Sequence, residues 1–122
     1  MATVLVVDDS GYARRLLRQT LEAGGHAVIE AASGMAGLEA YAVHAPDVVL
    51  LDLTMEDVGG LEVLERLREI DPRARVIVVS ADIQRATGRQ VAEAGAFRFL
   101  AKPADAEEVI EAVNAALEKG AP

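Results

Sequence analysis

The chain is expected to fold as an α/β domain, a (βα)5 doubly wound parallel sheet. Three observations predict this. Short apolar, largely β-branched runs recur along the whole length. Amphipathic stretches of helical length separate them. The runs at 4–7, 48–51, 76–79 and 99–101 each lead into a polar group: Asp8-Asp9, Asp52, Ser80 and Lys102-Pro103 respectively. Strands without polar alternation belong to sheets covered on both faces. Their alternation with helices implies right-handed parallel crossovers.

Each element has a local reason. Residues 3–8 read as a strand because the run is short and continuously apolar. Ser10 is placed to cap a helix that buries Ala13, Leu16, Leu17 and Leu21 and stops at Gly24-Gly25. Ala27-Val28-Ile29 makes a second strand. Ser33 caps a helix carrying Leu38 and Tyr41, which must end before Pro46. Residues 47–52 form the third strand. Gly59-Gly60 opens a helix with Leu61, Val63, Leu64 and Leu67 near one face, ended by Asp71-Pro72. Residues 75–80 form the fourth strand. Asp82 caps a helix running to Gly95, with Val91 and Ala92 on its apolar side. Residues 97–101 form the fifth strand, and Val109, Ile110, Val113 and Leu117 mark a last core-facing helix.

Composition narrows the function classes. A chain of 122 residues suits one domain, residues 1–122. At that size roughly two thirds of the unfolded surface is buried, enough for a self-sufficient core. The absence of cysteine excludes disulfides, zinc–thiolate sites and thiol catalysis. The two histidines, His26 and His44, are too few for a histidine-built metal site and read as surface residues without a role. Twelve basic against twenty acidic residues give a net charge of −8. That balance disfavours direct nucleic-acid binding and anionic membrane surfaces. The N-terminus enters an apolar run too short for a leader or a membrane span, so no membrane insertion and a cytoplasmic location are expected.

A five-stranded chain this short fits the flavodoxin-like strand order 2-1-3-4-5, with strands one and three adjacent at the switch point. In such sheets ligands bind beyond the carboxyl ends of the strands. Asp8, Asp9 and Asp52 then meet, with Ser80 and Lys102 on adjoining strands. Unpaired carboxylates in one crevice repel and bind protons unless a cation compensates them. An oxygen-only donor set suits a hard cation such as Mg²⁺. Taken alone, Asp8-Asp9 reads equally as a pair of acids favoured near a helix start. Beside Asp52 the site reading prevails.

Four pieces in order carry a family resemblance: Val-Val-Asp8-Asp9 with Arg14-Arg15, Leu-Leu-Asp52-Leu-Thr-Met, Val-Val-Ser80-Ala81, and Ala-Gly-Ala-Phe-Arg-Phe-Leu-Ala-Lys102-Pro103. The chain resembles the CheY-like receiver domain of two-component response regulators over nearly its whole length. The resemblance implies that Asp52 is the phosphoacceptor, served by a sensor histidine kinase, a histidine phosphotransfer protein or a small phosphodonor. It implies one Mg²⁺ on Asp8, Asp9, Asp52 and the backbone carbonyl of Thr54, with Asp8 partly through water. Lys102 would hold the phosphoryl group as a point charge, and Ser80 would donate a hydrogen bond to it. Ser80 and Phe99 would form the switch. Thr54 and Asp82 occupy the positions that set the dephosphorylation rate in this family. The Lys102–Pro103 bond is expected to be cis. The output surface would be the face built by the fourth helix, fifth strand and fifth helix, with a monomer at rest and dimerisation open on phosphorylation. Such a protein catalyses its own phosphotransfer and is not an enzyme acting on an external metabolite.

The chain departs from the family pattern in several places. Glu56 stands where many members have proline, and Asp57 follows it. Two added carboxylates near the site are expected to tune metal affinity or kinase fit. Gly59-Gly60 replaces Asp-Gly, Ser80 replaces the commoner threonine, and Phe99 replaces the tyrosine of the chemotaxis prototype. Three rival readings stand beside the leading one. A phosphorylation-independent pseudo-receiver adaptor would not need the intact Asp8, Asp9, Asp52, Ser80 and Lys102 set. A haloacid-dehalogenase-type phosphatase would place an aspartate two positions after the nucleophile, where this chain has Thr54. A flavodoxin-like FMN carrier would need aromatics to sandwich the flavin, and this chain has no Trp.

Overall fold

The computed structural model describes residues 2–81 and 85–120. Ten elements alternate: β1 Thr3–Val7, α1 Gly11–Ala23, β2 Ala27–Ala31, α2 Gly34–His44, β3 Val48–Leu51, α3 Gly60–Ile70, β4 Val76–Ser80, α4 Arg85–Glu93, β5 Arg98–Ala101 and α5 Ala106–Gly120. The strands form one sheet in the order β2-β1-β3-β4-β5. Every pairing is parallel, as the sequence predicts.

Strand side chains alternate between faces, and this divides the core in two. Leu5, Val7, Val49, Leu51, Val76 and Val78 pack against α2, α3 and α4 through Tyr41, Val63, Leu64, Leu67 and Val91. Val4, Val6, Val48, Leu50, Ile77 and Val79 pack against α1 and α5 through Leu21, Val109, Ala112, Val113 and Ala116. Each fully buried aliphatic side chain contributes about 1.5–3 kcal/mol relative to exposure. Both sheet faces are therefore consumed by the core, and chemistry is left to the strand ends.

The caps follow the sequence reading. Ser10 Oγ accepts from the Ala13 N–H at 3.1 Å, and Ser33 Oγ accepts from the Ala36 N–H at 3.1 Å. Gly25 takes a positive φ of 89° after α1. Ala45 ends α2 in the left-handed region at φ 45°, where the following Pro46 forbids further helix. The expected Asp82 cap lies outside the described residues. Among the described residues no helix is long and apolar enough to cross a membrane.

Three expectations need correction. Ala92 is exposed, so of the expected apolar pair on α4 Val91 alone enters the core. Leu16 is 45% exposed rather than buried. The sheet-facing stripe of α1 runs through Leu17 and Leu21, which turns Leu16 into a groove it lines with Tyr12, Pro103 and Ala104. His26 is buried rather than superficial. The glycine turn brings its N–H onto the Leu21 carbonyl at 3.0 Å, and its ring tucks in so that Nδ1 accepts from the Ala2 N–H at 3.3 Å. His44 is exposed, as expected.

Candidate functional site

Register assembles the site. Val7 pairs with Leu51, so Asp8 and Asp52 leave adjacent strands side by side. The Asp52 N–H donates to the Val7 carbonyl at 3.0 Å, and the Asp8 N–H donates to that of Ala31 at 3.1 Å. Ser80 pairs with Ala101, and the Lys102 N–H donates to the Ser80 carbonyl at 2.9 Å. All four strand ends thus reach one crevice. Gly60 permits the close approach of α3 behind it. A Cβ there would lie 2.5 Å from the Asp52 carbonyl oxygen.

Asp8, Asp9 and Asp52 each offer a carboxylate oxygen, and these atoms lie within 4.8 Å of one another. Asp8 and Asp52 are buried, and Asp9 is exposed. Lys102 Nζ lies 2.7 Å from Asp8 Oδ2 and 3.8 Å from Asp52 Oδ2. The other Asp8 oxygen accepts from the Ser10 N–H at 2.9 Å. Thr54 Oγ1 stands 3.2 Å from the nearer Asp52 oxygen, long for a hydroxyl hydrogen bond. Burial pushes the Asp52 carboxyl above its ordinary range. Lys102 opposes the rise, the Asp8 charge adds to it, and the Thr54 hydrogen bonds oppose it. One ammonium facing three carboxylates leaves net negative charge in a low-dielectric crevice. A hard divalent cation fits both that deficit and the oxygen-only donor set.

Ser80 is fully buried at the end of β4. Phe99 is half-buried against the core on the α4 side and pairs in register with Val78, two residues before Ser80. The Lys102–Pro103 peptide is cis. Asp82 lies outside the described residues. Glu56 is exposed. Asp57 does not point its charge at the crevice. Its two oxygens accept from the Gly34 and Met35 N–H groups, each at 3.0 Å. Of the two added carboxylates expected near the site, Asp57 is thus tied to the start of α2 and Glu56 is exposed.

Sequence reasoning missed two supports. Arg14 Nη1 donates to the Asp8 carbonyl at 2.7 Å, and its Nε pairs with Glu30 at 3.0 Å. This fixes the β1–α1 loop. The Arg14-Arg15 motif was visible, but the partner lies in β2 and no spacing reveals it. Asp57 and its helix partners are 22 and 23 residues apart, equally invisible to local patterning.

Residues 4–114 match the family model for the response regulator receiver domain. The chemotaxis protein CheY of Bacillus subtilis is 36% identical over 115 residues, 93% of this chain and 96% of that protein. A receiver domain protein from Clostridium thermocellum superposes with a TM-score of 0.93 at 28% identity, covering 98% of this chain and 96% of that one. The chain also matches the DNA-binding transcriptional regulator NtrC of Azospirillum brasilense at 36% identity, over 99% of this chain but 25% of that protein. The chain belongs to the response regulator receiver domain family. It is a receiver domain of the CheY-like kind, a component of two-component signalling. Receiver domains pair with histidine kinases and with output domains, and the Asp8, Asp9 and Asp52 cluster fits the receiver-domain Mg²⁺ site.

Proposed function

We propose that Asp52 accepts a phosphoryl group from a phosphohistidine, on a sensor kinase or a histidine phosphotransfer protein, in a Mg²⁺-dependent step. The observation that carries this reading is the convergence of three carboxylates within 4.8 Å around a lysine ammonium. Bound Mg²⁺ would supply charge neutralisation for the transferring phosphoryl oxygens, where catalysis is mostly positioning and electrostatics. Asp8, Asp9, Asp52 and the Thr54 carbonyl would hold it. An Asp52 oxygen forms its bond to phosphorus as the donor's N–P bond breaks, leaving an acyl phosphate on the protein and an imidazole on the donor. Lys102 then has two claims on its charge, Asp8 and the new phosphoryl group. Ser80 donates to a phosphoryl oxygen, and Phe99 follows it. Thr54 and Asp82 would set the rate of dephosphorylation.

The added group carries about −1.5 to −2 charge. Unit charges 4 Å apart at an effective dielectric near 20 interact by about 4 kcal/mol. Moving a two-state equilibrium from 1:99 to 99:1 takes about 5.5 kcal/mol. The comparable sizes support a local charge event that repositions the α4-β5-α5 face toward a protein target. The test is incubation with phosphoramidate or acetyl phosphate, with and without Mg²⁺, read by intact mass on wild type and Asp52→Asn. A gain of one phosphoryl in wild type, only with Mg²⁺, is expected. A folded wild type that gains none points instead to the phosphorylation-independent adaptor.

A further inference from the structure

The loop between β3 and α3 carries Thr54 two residues beyond Asp52. Its Leu53, Met55 and Val58 side chains pack against the core, and its remaining residues carry few other ties. Glu56 is exposed, a Cβ at Gly59 would meet nothing within 4 Å, and Gly59 gives α3 no side-chain cap. One end is tied by the Gly60 N–H on the Leu53 carbonyl at 3.1 Å. The middle is tied by Asp57. Its Oδ1 accepts from Gly34 N–H and its Oδ2 from Met35 N–H, both at 3.0 Å. These are the first two residues of α2, whose opening N–H groups lack intrahelical partners and carry the positive end of the helix dipole. Ser33 Oγ takes the next N–H, that of Ala36. The Asp57 carboxyl is held down to about 2 by the Met35 and Gly34 N–H groups, with a smaller contribution from Val58. Gly34 lets the loop close, since a Cβ there would sit 2.8 Å from both Val58 Cβ and the Val58 carbonyl oxygen.

We infer that Asp57 is a positioning residue for the metal-bearing loop, clamping it to the N-terminus of α2 so that the Asp52–Thr54 segment is preorganised for the cation. This rests on the reading above, in which the Thr54 carbonyl joins the three carboxylates around Mg²⁺. The clamp consists of two charge-assisted hydrogen bonds, stronger than neutral ones. It restricts a loop whose free conformations would otherwise be lost only when the cation binds. It also explains why an acid so near the site is not a fourth carboxylate ligand: both of its oxygens are already engaged.

The test is Mg²⁺ titration of wild type, Asp57→Ala and Asp57→Asn by calorimetry and amide NMR, well below each melting temperature. Asp57→Ala is expected to raise the Mg²⁺ Kd by about tenfold, the scale of lost outer support at metal sites. The Gly34 and Met35 amide signals should shift in the same variant. Asp57→Asn keeps one acceptor oxygen and should recover part of the affinity. A wild-type Kd in Asp57→Ala, with the Gly34 and Met35 signals displaced, would overturn the inference and leave Asp57 as a cap on α2 alone. A wild type that binds no Mg²⁺ would overturn the metal reading itself, and the inference with it.

Discussion

Asp52 sits 5% exposed beside a second buried carboxylate, and its carboxyl is raised by that burial. A carboxyl raised on folding holds its proton more tightly in the folded state. Its stabilising contribution is present below its unfolded value and is lost as pH rises through the folded one. At neutral pH an ionised Asp52 therefore weakens the metal-free fold. Asp52→Asn, measured by thermal unfolding in EDTA, should melt higher than wild type at pH 7. That advantage should shrink as pH falls into the carboxylate range, where wild type regains its proton. Equal melting temperatures at pH 7 would contradict the electrostatic account. Lys102 is the cation that partly offsets this crevice. It stands 2.7 Å from an Asp8 oxygen that the proposed Mg²⁺ site would also use, so on that proposal it would compete with the ion. Lys102→Ala should keep or tighten Mg²⁺ binding, by up to about tenfold, while phosphorylation no longer reaches the α4-β5-α5 face. Amide NMR titrations read both effects. Weaker Mg²⁺ binding would show that Lys102 organises the site rather than competing for it.

At the scale of elements, α2 is pinned at both ends to the third βα unit. Asp57 holds its N-terminus. Near its C-terminus the Tyr41 hydroxyl donates to Asp71 Oδ2 at 2.7 Å, across to the residue that ends α3. Burial first, then the hydrogen bond to Asp71 and its charge, raise the Tyr41 hydroxyl, and the same bond lowers the Asp71 carboxyl. Tyr41→Phe removes the bond and leaves the ring packed. It should cost about 1–2 kcal/mol of unfolding free energy with Mg²⁺-dependent phosphorylation unchanged. Denaturant unfolding and phosphate incorporation check the two halves separately. These links mark where sequence reading stops. Ser10, Ser33 and the Gly24-Gly25 turn act within a few residues, and their roles could be read directly. The Tyr41–Asp71 pair spans 30 residues, and the Arg14–Glu30 pair spans 16. Neither lies on one helix face or one strand, so no periodicity announces them.

Across the whole molecule the topology was legible because period and type agree everywhere: four strands end in chemistry and five helices bury apolar faces. The order β2-β1-β3-β4-β5 is the flavodoxin-like one expected for a five-stranded chain this short. It places Asp8 and Asp52 at the switch point with no further instruction. His26 was not legible for the converse reason. A lone histidine after two glycines looks exposed, and its bond to the Ala2 N–H, 24 residues away, is out of reach of local patterning. The global prediction is linkage. A cation that binds only the folded crevice stabilises the domain by about 2.7 kcal/mol at a hundredfold excess over its Kd. Saturating Mg²⁺ should thus raise the melting temperature of wild type and lose that effect in an Asp8→Ala, Asp9→Ala double variant.

The central claim is that Asp52 is the Mg²⁺-dependent phosphoacceptor. Borohydride reduction of the phosphorylated chain converts an acyl phosphate to an alcohol, so peptide mass mapping reads its position directly. The account predicts homoserine at position 52 alone, and only in samples phosphorylated with Mg²⁺ present. Homoserine at position 8 or 9, or an equal yield without Mg²⁺, would contradict it.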